Sequence, residues 1–223
     1  LAVFGNPITH TRSPEIHRLF AKQHGLEIDY EPILVPPGEF VRYAHRFLEG
    51  GAKGFNITVP YKADAYHFVE QCSKAAVLAE AVNTISIKQG VIYGDNTDGA
   101  GLMNDIVDNL GWTLQDKKVL VLGAGGAVSG VVSNLLGGTP RTVEILNRTV
   151  SKAVAIVEKQ NDSRVRAIET PGDAYDVIIN GTSAALQGTK LDLPASIITA
   201  ESCCYDMSYG NSAFLGWCAD LGV

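Results

Sequence analysis

Apolar positions along this chain alternate between short continuous runs and stripes spaced three and four apart, the signature of strands alternating with helices. Leu1-Ala-Val-Phe4 reads as a strand. Ser13-Pro14 predicts a helix start, with Ser13 as N-cap, Pro14 at the first helical position, an apolar face of Ile16, Leu19 and Phe20, and Gly25 at its end. Ile28 to Val35 is a second strand closed by Pro36-Pro37. Phe40, Tyr43, Ala44, Phe47 and Leu48 fall on one helical face ended by Gly50-Gly51. Lys53 to Val59 runs as strand into loop, and Pro60 begins a short helix carrying Lys62. Asn83 to Ile87 and Val91 to Tyr93 form a hairpin across Lys88-Gln-Gly90. Leu102, Met103, Ile106 and Leu110 make a connecting helix ended by Gly111. From Lys118 the order is strand, helix, strand (Thr142 to Leu146), helix, strand (Tyr175 to Ile179), a last strand through Cys203-Cys-Tyr-Asp206, and a helix over Ala213 to Leu221. This is an α/β chain of two domains, 1–99 and 100–223, with the boundary near Gly99-Ala-Gly101. The second has the doubly wound parallel pattern of a Rossmann-type domain.

The apolar run Lys118-Val-Leu-Val-Leu122 enters a glycine turn, Gly123-Ala-Gly-Gly-Ala127, and Val131, Val132, Leu135 and Leu136 continue it as a helical stripe. Gly123 permits the tight turn. Gly125 removes the side chain that would keep a pyrophosphate from the first-turn amides. The next strand ends not in the acidic residue that would hold a free ribose hydroxyl but in Asn147-Arg-Thr149, with Lys152 one helical turn later. Two cations at the expected position of the adenosine ribose favour a 2′-phosphate, hence NADP over NAD. The bland alternative is an exposed basic turn capped by Thr149.

Composition narrows the partners. A hydrophobic content of 46% supports a sizeable core, and 19% charged residues argue against disorder. The net charge of -6 argues against nucleic acid. The four cysteines, Cys72, Cys203, Cys204 and Cys218, lack metal-ligand spacing and read as buried thiols in a reducing cytoplasmic compartment. No metal is expected, and no apolar run is long enough for a membrane span or a signal peptide. The strand at Leu1 without an initiator methionine, and the helix ending at Leu221, read as the ordered part of something longer.

Four polar clusters fall in the first domain at strand or loop ends: Thr9-His-Thr-Arg-Ser13, Asn56-Ile-Thr-Val-Pro-Tyr-Lys62, Ala81-Val-Asn83 and Gly94-Asp-Asn-Thr-Asp98. They offer hydroxyls, an amide, an ammonium and a carboxylate, a set suited to a small polyhydroxylated acid bound across an intervening cleft from the dinucleotide. Structural alternatives exist: Lys62 as a solvated helix-start lysine, Asp98 as the cap of the helix through Met103, and packing roles for His10 and His17.

Together with Gly5-Asn-Pro-Ile8, the glycine loop and Asn147-Arg-Thr149, these clusters resemble the shikimate dehydrogenase family in colinear order from Val3 to the chain's end. The resemblance implies an N-terminal substrate domain, a C-terminal NADP domain, and the reversible NADP-dependent reduction of 3-dehydroshikimate to shikimate in aromatic amino-acid biosynthesis. It implies a catalytic pair, Lys62 and Asp98, that removes the hydroxyl proton and steadies the developing oxyanion. It assigns Thr11 and Ser13 to the substrate carboxylate, with Tyr209 as helper, and Thr58, Asn83 and Asp98 to ring hydroxyls. Gly123, Ala124, Gly125, Gly126, Ala127, Asn147, Arg148, Thr149 and Lys152 would hold the dinucleotide, with Thr182 and Ser183 of Asn180-Gly-Thr-Ser183 beside the nicotinamide ribose. The family usually carries serine where Thr11 stands, which keeps quinate open as a substrate. The family's C-terminal closing helices are expected to be absent. A quinate/shikimate enzyme with broader cofactor use and a non-catalytic NADP or shikimate sensor remain the alternatives, and the chain is expected to act as a monomer or homodimer.

Overall fold

The computed structural model describes residues 1–182, 192–208, 210 and 212–223. The chain divides into two compact units, Leu1–Thr97 and Asp98–Val223. The division falls just before the expected boundary, because Asp98 and Gly99 already belong to a helix of the second unit. A Cβ on Gly99 would lie 2.1 Å from Asn134 Oδ1 and 2.7 Å from the Gly130 carbonyl, so that helix packs there at backbone distance.

The first unit contains β1 (Ala2–Gly5), α1 (Ser13–Gln23), β2 (Glu31–Leu34), α2 (Phe40–Glu49), β3 (Gly54–Ile57), α3 (Lys62–Phe68), β4 (Gln71–Cys72), α4 (Lys74–Ala79), β5 (Thr84–Lys88) and β6 (Val91–Asp95). Its sheet runs β2-β1-β3-β5-β6-β4. β1 pairs parallel with β2 and β3, while β5 runs antiparallel to both β3 and β6. The expected hairpin closes through Gln89 and Gly90, both at positive φ, which suits the twist of a two-residue turn. Phe4 is fully buried, stacked on Phe55 with ring centroids 4.5 Å apart and edge-on to Phe40 and Phe47.

Several local expectations are corrected. Ser13 is the first residue of α1 rather than its cap; Arg12 occupies the cap position, and the Thr11 hydroxyl accepts from the Ser13 amide at 3.3 Å. Leu19 and Phe20 are more than half exposed instead of forming the core face. The helix turns its His17–Ala21 side inward, with the His17 ring stacked 4.4 Å from Tyr30. β2 is shorter than Ile28 to Val35, because it is an edge strand held by β1 alone over Glu31–Leu34. α3 starts at Lys62, since residues 58–61 form a turn closed by the Tyr61 amide on the Thr58 carbonyl. The short β4 and α4 carry too few residues for a periodic signal; α4 is capped by Ser73, whose hydroxyl accepts from the Ala76 amide at 3.1 Å.

The second unit contains α5 (Asp98–Asn104), continued by one π-helical turn to Asn109, then β7 (Lys118–Leu122), α6 (Gly126–Gly137), β8 (Thr142–Leu146), α7 (Val150–Gln160), β9 (Val165–Ile168), β10 (Val177–Asn180), β11 (Cys203–Asp206) and α8 (Ala213–Asp220). All neighbours are parallel, in the order β11-β10-β7-β8-β9. β9 is an edge strand that the sequence pattern does not reveal, its four residues interrupted by Arg166. β10 begins two residues later than expected, after Tyr175 and Asp176 have turned into other contacts: the Tyr175 hydroxyl donates to Glu144, and Asp176 accepts from the Lys118 amide. Val119, Val121, Val143, Ile145, Val177 and Ile179 pack against Val128, Val131, Val132 and Leu135 of α6. Leu120, Leu122 and Ile178 face the other way onto Phe214 and Cys218 of α8. Both sheet faces are covered, which explains why these strands read as continuous apolar runs. Among the described residues, no helix is long and apolar enough to cross a membrane.

Candidate active site

In the first unit the sequence-selected residues gather at one end of the sheet. β1 runs out at Gly5, where an added Cβ would lie 2.4 Å from the Thr58 methyl and 2.9 Å from Ile8. Only glycine lets the loop after β3 approach β1 this closely. The Asn6 amide donates to the Val59 carbonyl at 3.0 Å, and the Thr58 amide to the Phe4 carbonyl at 2.9 Å, so the loops carrying Thr11 and Thr58 share one base. Asn83 joins through its carbonyl, which accepts from the Ile57 amide at 2.8 Å. Lys62 joins through its own carbonyl, which accepts from the Val82 amide at 2.8 Å. Thr58, Lys62 and Asn83 are each half-buried, positioned by backbone hydrogen bonds with side chains at the surface of that end. Thr11 Oγ1 donates to Ser13 Oγ at 3.1 Å, a pair of hydroxyls on the following loop.

The Asn83 carboxamide is fixed in turn. Its Oδ1 accepts from the Thr97 amide at 3.1 Å and from Thr84 Oγ1 at 2.9 Å, while its Nδ2 donates to Thr97 Oγ1 at 3.0 Å. Thr97 is the residue before Asp98, so the chain enters α5 from a point tied to Asn83. Asp98 itself is the first residue of α5, half-buried. A carboxylate in the first turn of a helix is stabilised by the helix dipole, which accounts for its presence but gives it no chemical task.

In the second unit the residues expected to hold a dinucleotide line the carboxyl ends of β7, β8 and β10, where the strand order reverses around β7. That switch point is where open parallel sheets bind ligands. Gly123 has φ +102°, and its Cβ would lie 3.2 Å from the Gly181 backbone, so both its conformation and its neighbour demand glycine. The Gly123 amide donates to the Leu146 carbonyl and the Gly181 amide to the Leu122 carbonyl, knitting the three loops together. Gly125 caps α6, exposed, with nothing within 4 Å of an added Cβ. Ala124, Gly126 and Ala127 complete a first turn whose amides point out of the helix toward open space. That space and those donors fit a pyrophosphate.

After β8, Asn147 Nδ2 donates to the Thr149 carbonyl at 2.8 Å and shapes the turn into α7. Thr149 occupies the cap position of α7 without a side-chain cap bond, which removes the purely structural reason for that residue. Arg148 and Lys152 are exposed at this turn and occur in none of the ion pairs found among the described residues. The donor set fits a phosphate ester on an adenosine ribose. Thr182 is bound to Asn180 through both its amide and its hydroxyl. Ser183 and Tyr209 lie outside the described residues.

Some of the supporting residues escape a reading of the sequence. Asn56, Thr84 and Thr97 bind Asn83, Tyr30 binds Asn56, and Asp206 accepts from Asn180 Nδ2 and from Ser208 and Ser212 at the ends of β10 and β11. Asn56, Thr84 and Thr97 sit inside or beside the polar motifs; Tyr30 carries no signal of its own. The cysteines form no disulfide, and burial pushes the Cys203, Cys204 and Cys218 thiols up, as for inert thiols.

Known proteins match along the whole of this framework. A family profile described as the shikimate dehydrogenase substrate binding domain matches residues 3–85, and one described as shikimate / quinate 5-dehydrogenase matches residues 104–190. The shikimate dehydrogenase (NADP(+)) of Saccharophagus degradans is 45% identical over 99% of this chain and 84% of its own length. That of Alkalilimnicola ehrlichii is 46% identical over 100% of this chain and 84% of its own. Among solved structures, an Ael1 enzyme from Pseudomonas putida superposes with a TM-score of 0.90 at 37% identity, covering 100% of this chain and 84% of that one. Shikimate 5-dehydrogenase from Thermus thermophilus, solved with NADP(H) and shikimate, gives 0.86 at 29% identity with the same coverage.

Proposed function

The chain belongs to the shikimate dehydrogenase family, and from that membership we propose that it is an NADP-dependent oxidoreductase that reversibly reduces 3-dehydroshikimate to shikimate in aromatic amino-acid biosynthesis. The observation that carries this reading is the alignment of relatives so named, at 45% and 46% identity, over essentially the whole chain. Broader quinate activity and non-catalytic sensing are not favoured by relatives carrying that name.

In this reading the first unit binds substrate and the second binds NADP. NADP, when bound, accepts the carbinol hydrogen as hydride or returns it. The protein's own task is the remaining proton: oxidising the alcohol releases the hydroxyl proton, and reduction must restore it. Lys62 and Asp98 are the groups suited to that transfer, a flexible ammonium and a carboxylate. The Lys62 ammonium also steadies negative charge developing on the substrate oxygen. Thr11, Ser13 and Tyr209 take the substrate carboxylate; Thr58, Asn83 and Asp98 take ring hydroxyls. The amides of residues 123–127 take the pyrophosphate, and Asn147, Arg148, Thr149 and Lys152 the adenosine 2′-phosphate, with Thr182 and Ser183 beside the nicotinamide ribose. The enzyme works in the cytoplasm, as a monomer or homodimer, without nucleic-acid partners.

The test is an assay of the full-length protein following NADPH consumption with 3-dehydroshikimate, and NADPH formation with shikimate. Saturable turnover in both directions is expected, with far lower kcat/KM for NADH and for quinate. A folded protein that binds NADPH but turns over in neither direction would reject the enzyme reading.

A further inference from the structure

β10 is apolar through Val177-Ile-Ile179 and then ends in Asn180, a polar side chain only 1% exposed. A carboxamide buried so deeply needs partners at both of its ends. Directly across the parallel register stands Asp206, the last residue of β11. Asn180 Nδ2 donates to Asp206 Oδ2 at 3.0 Å. Asn180 Oδ1 accepts from the Thr182 amide at 3.1 Å and from the Thr182 hydroxyl at 2.8 Å. Asp206 is engaged on its other side as well. Its Oδ1 accepts from the Ser208 amide at 2.8 Å and hydroxyl at 2.6 Å, and its Oδ2 also accepts from the Ser212 hydroxyl.

The polarity of this link is fixed at both ends. The Thr182 amide can only donate, so the Asn180 atom it meets is the oxygen. The nitrogen therefore faces Asp206, and a carboxylate only accepts. One charged group thus holds the chain where it leaves β11 and, through Asn180, where it leaves β10. Hydrogen bonds to a charged acceptor are the stronger kind, which suits a joint between two loops.

We propose that Asp206 is a positioning residue for the nicotinamide end of the cofactor, holding Thr182 in place through Asn180. This rests on the assignment of Thr182 to the nicotinamide ribose. Asp206→Asn separates the two halves of the link. The new amide has one acceptor, which the Ser208 amide claims, and it turns an NH2 toward the NH2 of Asn180. Asn180 then faces donor with donor, or it reverses and abandons both donors of Thr182. Exchanging the pair, Asp206→Asn with Asn180→Asp, restores the match. The carboxylate at 180 accepts from Thr182 and from the amide at 206, whose oxygen still serves Ser208.

The experiment titrates the full-length protein with NADPH and with adenosine 2′,5′-bisphosphate, which lacks the nicotinamide riboside. Steady-state rates are measured alongside, and each variant is checked for fold by circular dichroism. Asp206→Asn should raise the NADPH dissociation constant and KM for NADP about tenfold, the scale of one lost hydrogen bond to a charged group, and lower kcat. Bisphosphate affinity and KM for shikimate should stay within about twofold, because the link cut is a single hydrogen bond away from both. The exchanged pair should recover most of the lost NADPH affinity, and Thr182→Ala should weaken NADPH without weakening the bisphosphate. Normal NADPH affinity in folded Asp206→Asn, equal weakening of the bisphosphate, or no recovery in a folded exchanged pair overturns the positioning role. If Thr182→Ala still weakens NADPH selectively, the ribose assignment survives that result; Thr182→Ala with normal NADPH affinity overturns both. Turnover by the unaltered protein decides the enzyme reading separately. Should Asp206→Asn alone fail to fold, the exchanged pair decides. A folded pair with nearly normal NADPH affinity supports the link; weak binding there, or a pair that also fails to fold, rejects it.

Discussion

Lys62 begins α3 half-buried, its carbonyl bound to the Val82 amide while the side chain extends from the end of the first unit's sheet. Such a residue can be replaced without disturbing a core. If the ammonium acts in the transition state, Lys62→Ala should lower kcat by roughly two to four orders of magnitude, with KM for shikimate little changed. Steady-state rates on the folded variant check this; near-normal kcat with raised KM would make Lys62 a binding residue. Arg148 and Lys152 invite a complementary measurement. Replacing both with neutral residues should weaken NADP binding by about 1.5–3 kcal/mol for each charge-assisted hydrogen bond removed, leaving NAD binding nearly unchanged. Equal weakening for the two cofactors in a titration would remove the phosphate clamp.

At the scale of elements, α5 packs against α6 at backbone distance. Gly99 sits where any side chain would enter the space of the Asn134 carboxamide and the Gly130 carbonyl. The carboxamide can swing away; the carbonyl cannot. Gly99→Ala should therefore destabilise the protein by about 1–3 kcal/mol, the range for overpacking a well-filled interior, and displace Asp98, its neighbour in sequence. Thermal unfolding should show a lowered Tm, and kcat should fall with it. An unchanged Tm would mean that the helices separate at no cost.

At the scale of the whole molecule, buried Tyr175 and half-buried Tyr205 tie the fold to alkaline pH. Desolvation, and secondly the hydrogen bond to Glu144, push Tyr175 up to about 12; desolvation, and secondly Asp105, push Tyr205 up to about 12. Both are raised above the ordinary value of 10, so the folded state holds these protons more tightly than the unfolded chain. Their contribution is complete below pH 10 and is lost as pH rises toward about 12. Unfolding free energy should accordingly fall over that window, with tyrosinate absorbance appearing together with loss of structure. Tyr175→Phe should flatten the decline; a decline of unchanged slope in both Tyr175→Phe and Tyr205→Phe would assign it elsewhere.

The sequence by itself determined the alternation of strands and helices, the two-part organisation and the glycine turn after β7, because each is written in local periodicity or in a conformation that only glycine adopts readily. Motif order carried the candidate residues on the same local terms. Tertiary structure decided what depends on partners distant in the chain. It turned Leu19 and Phe20 outward, since which side of an amphipathic helix is covered is set by the strand it meets. It added β9, four residues whose strand character comes from pairing with β8. It also made Tyr30 a partner of Asn56 and Thr84 a partner of Asn83, because a hydrogen bond's direction is settled only when donors and acceptors from separate segments are brought within reach.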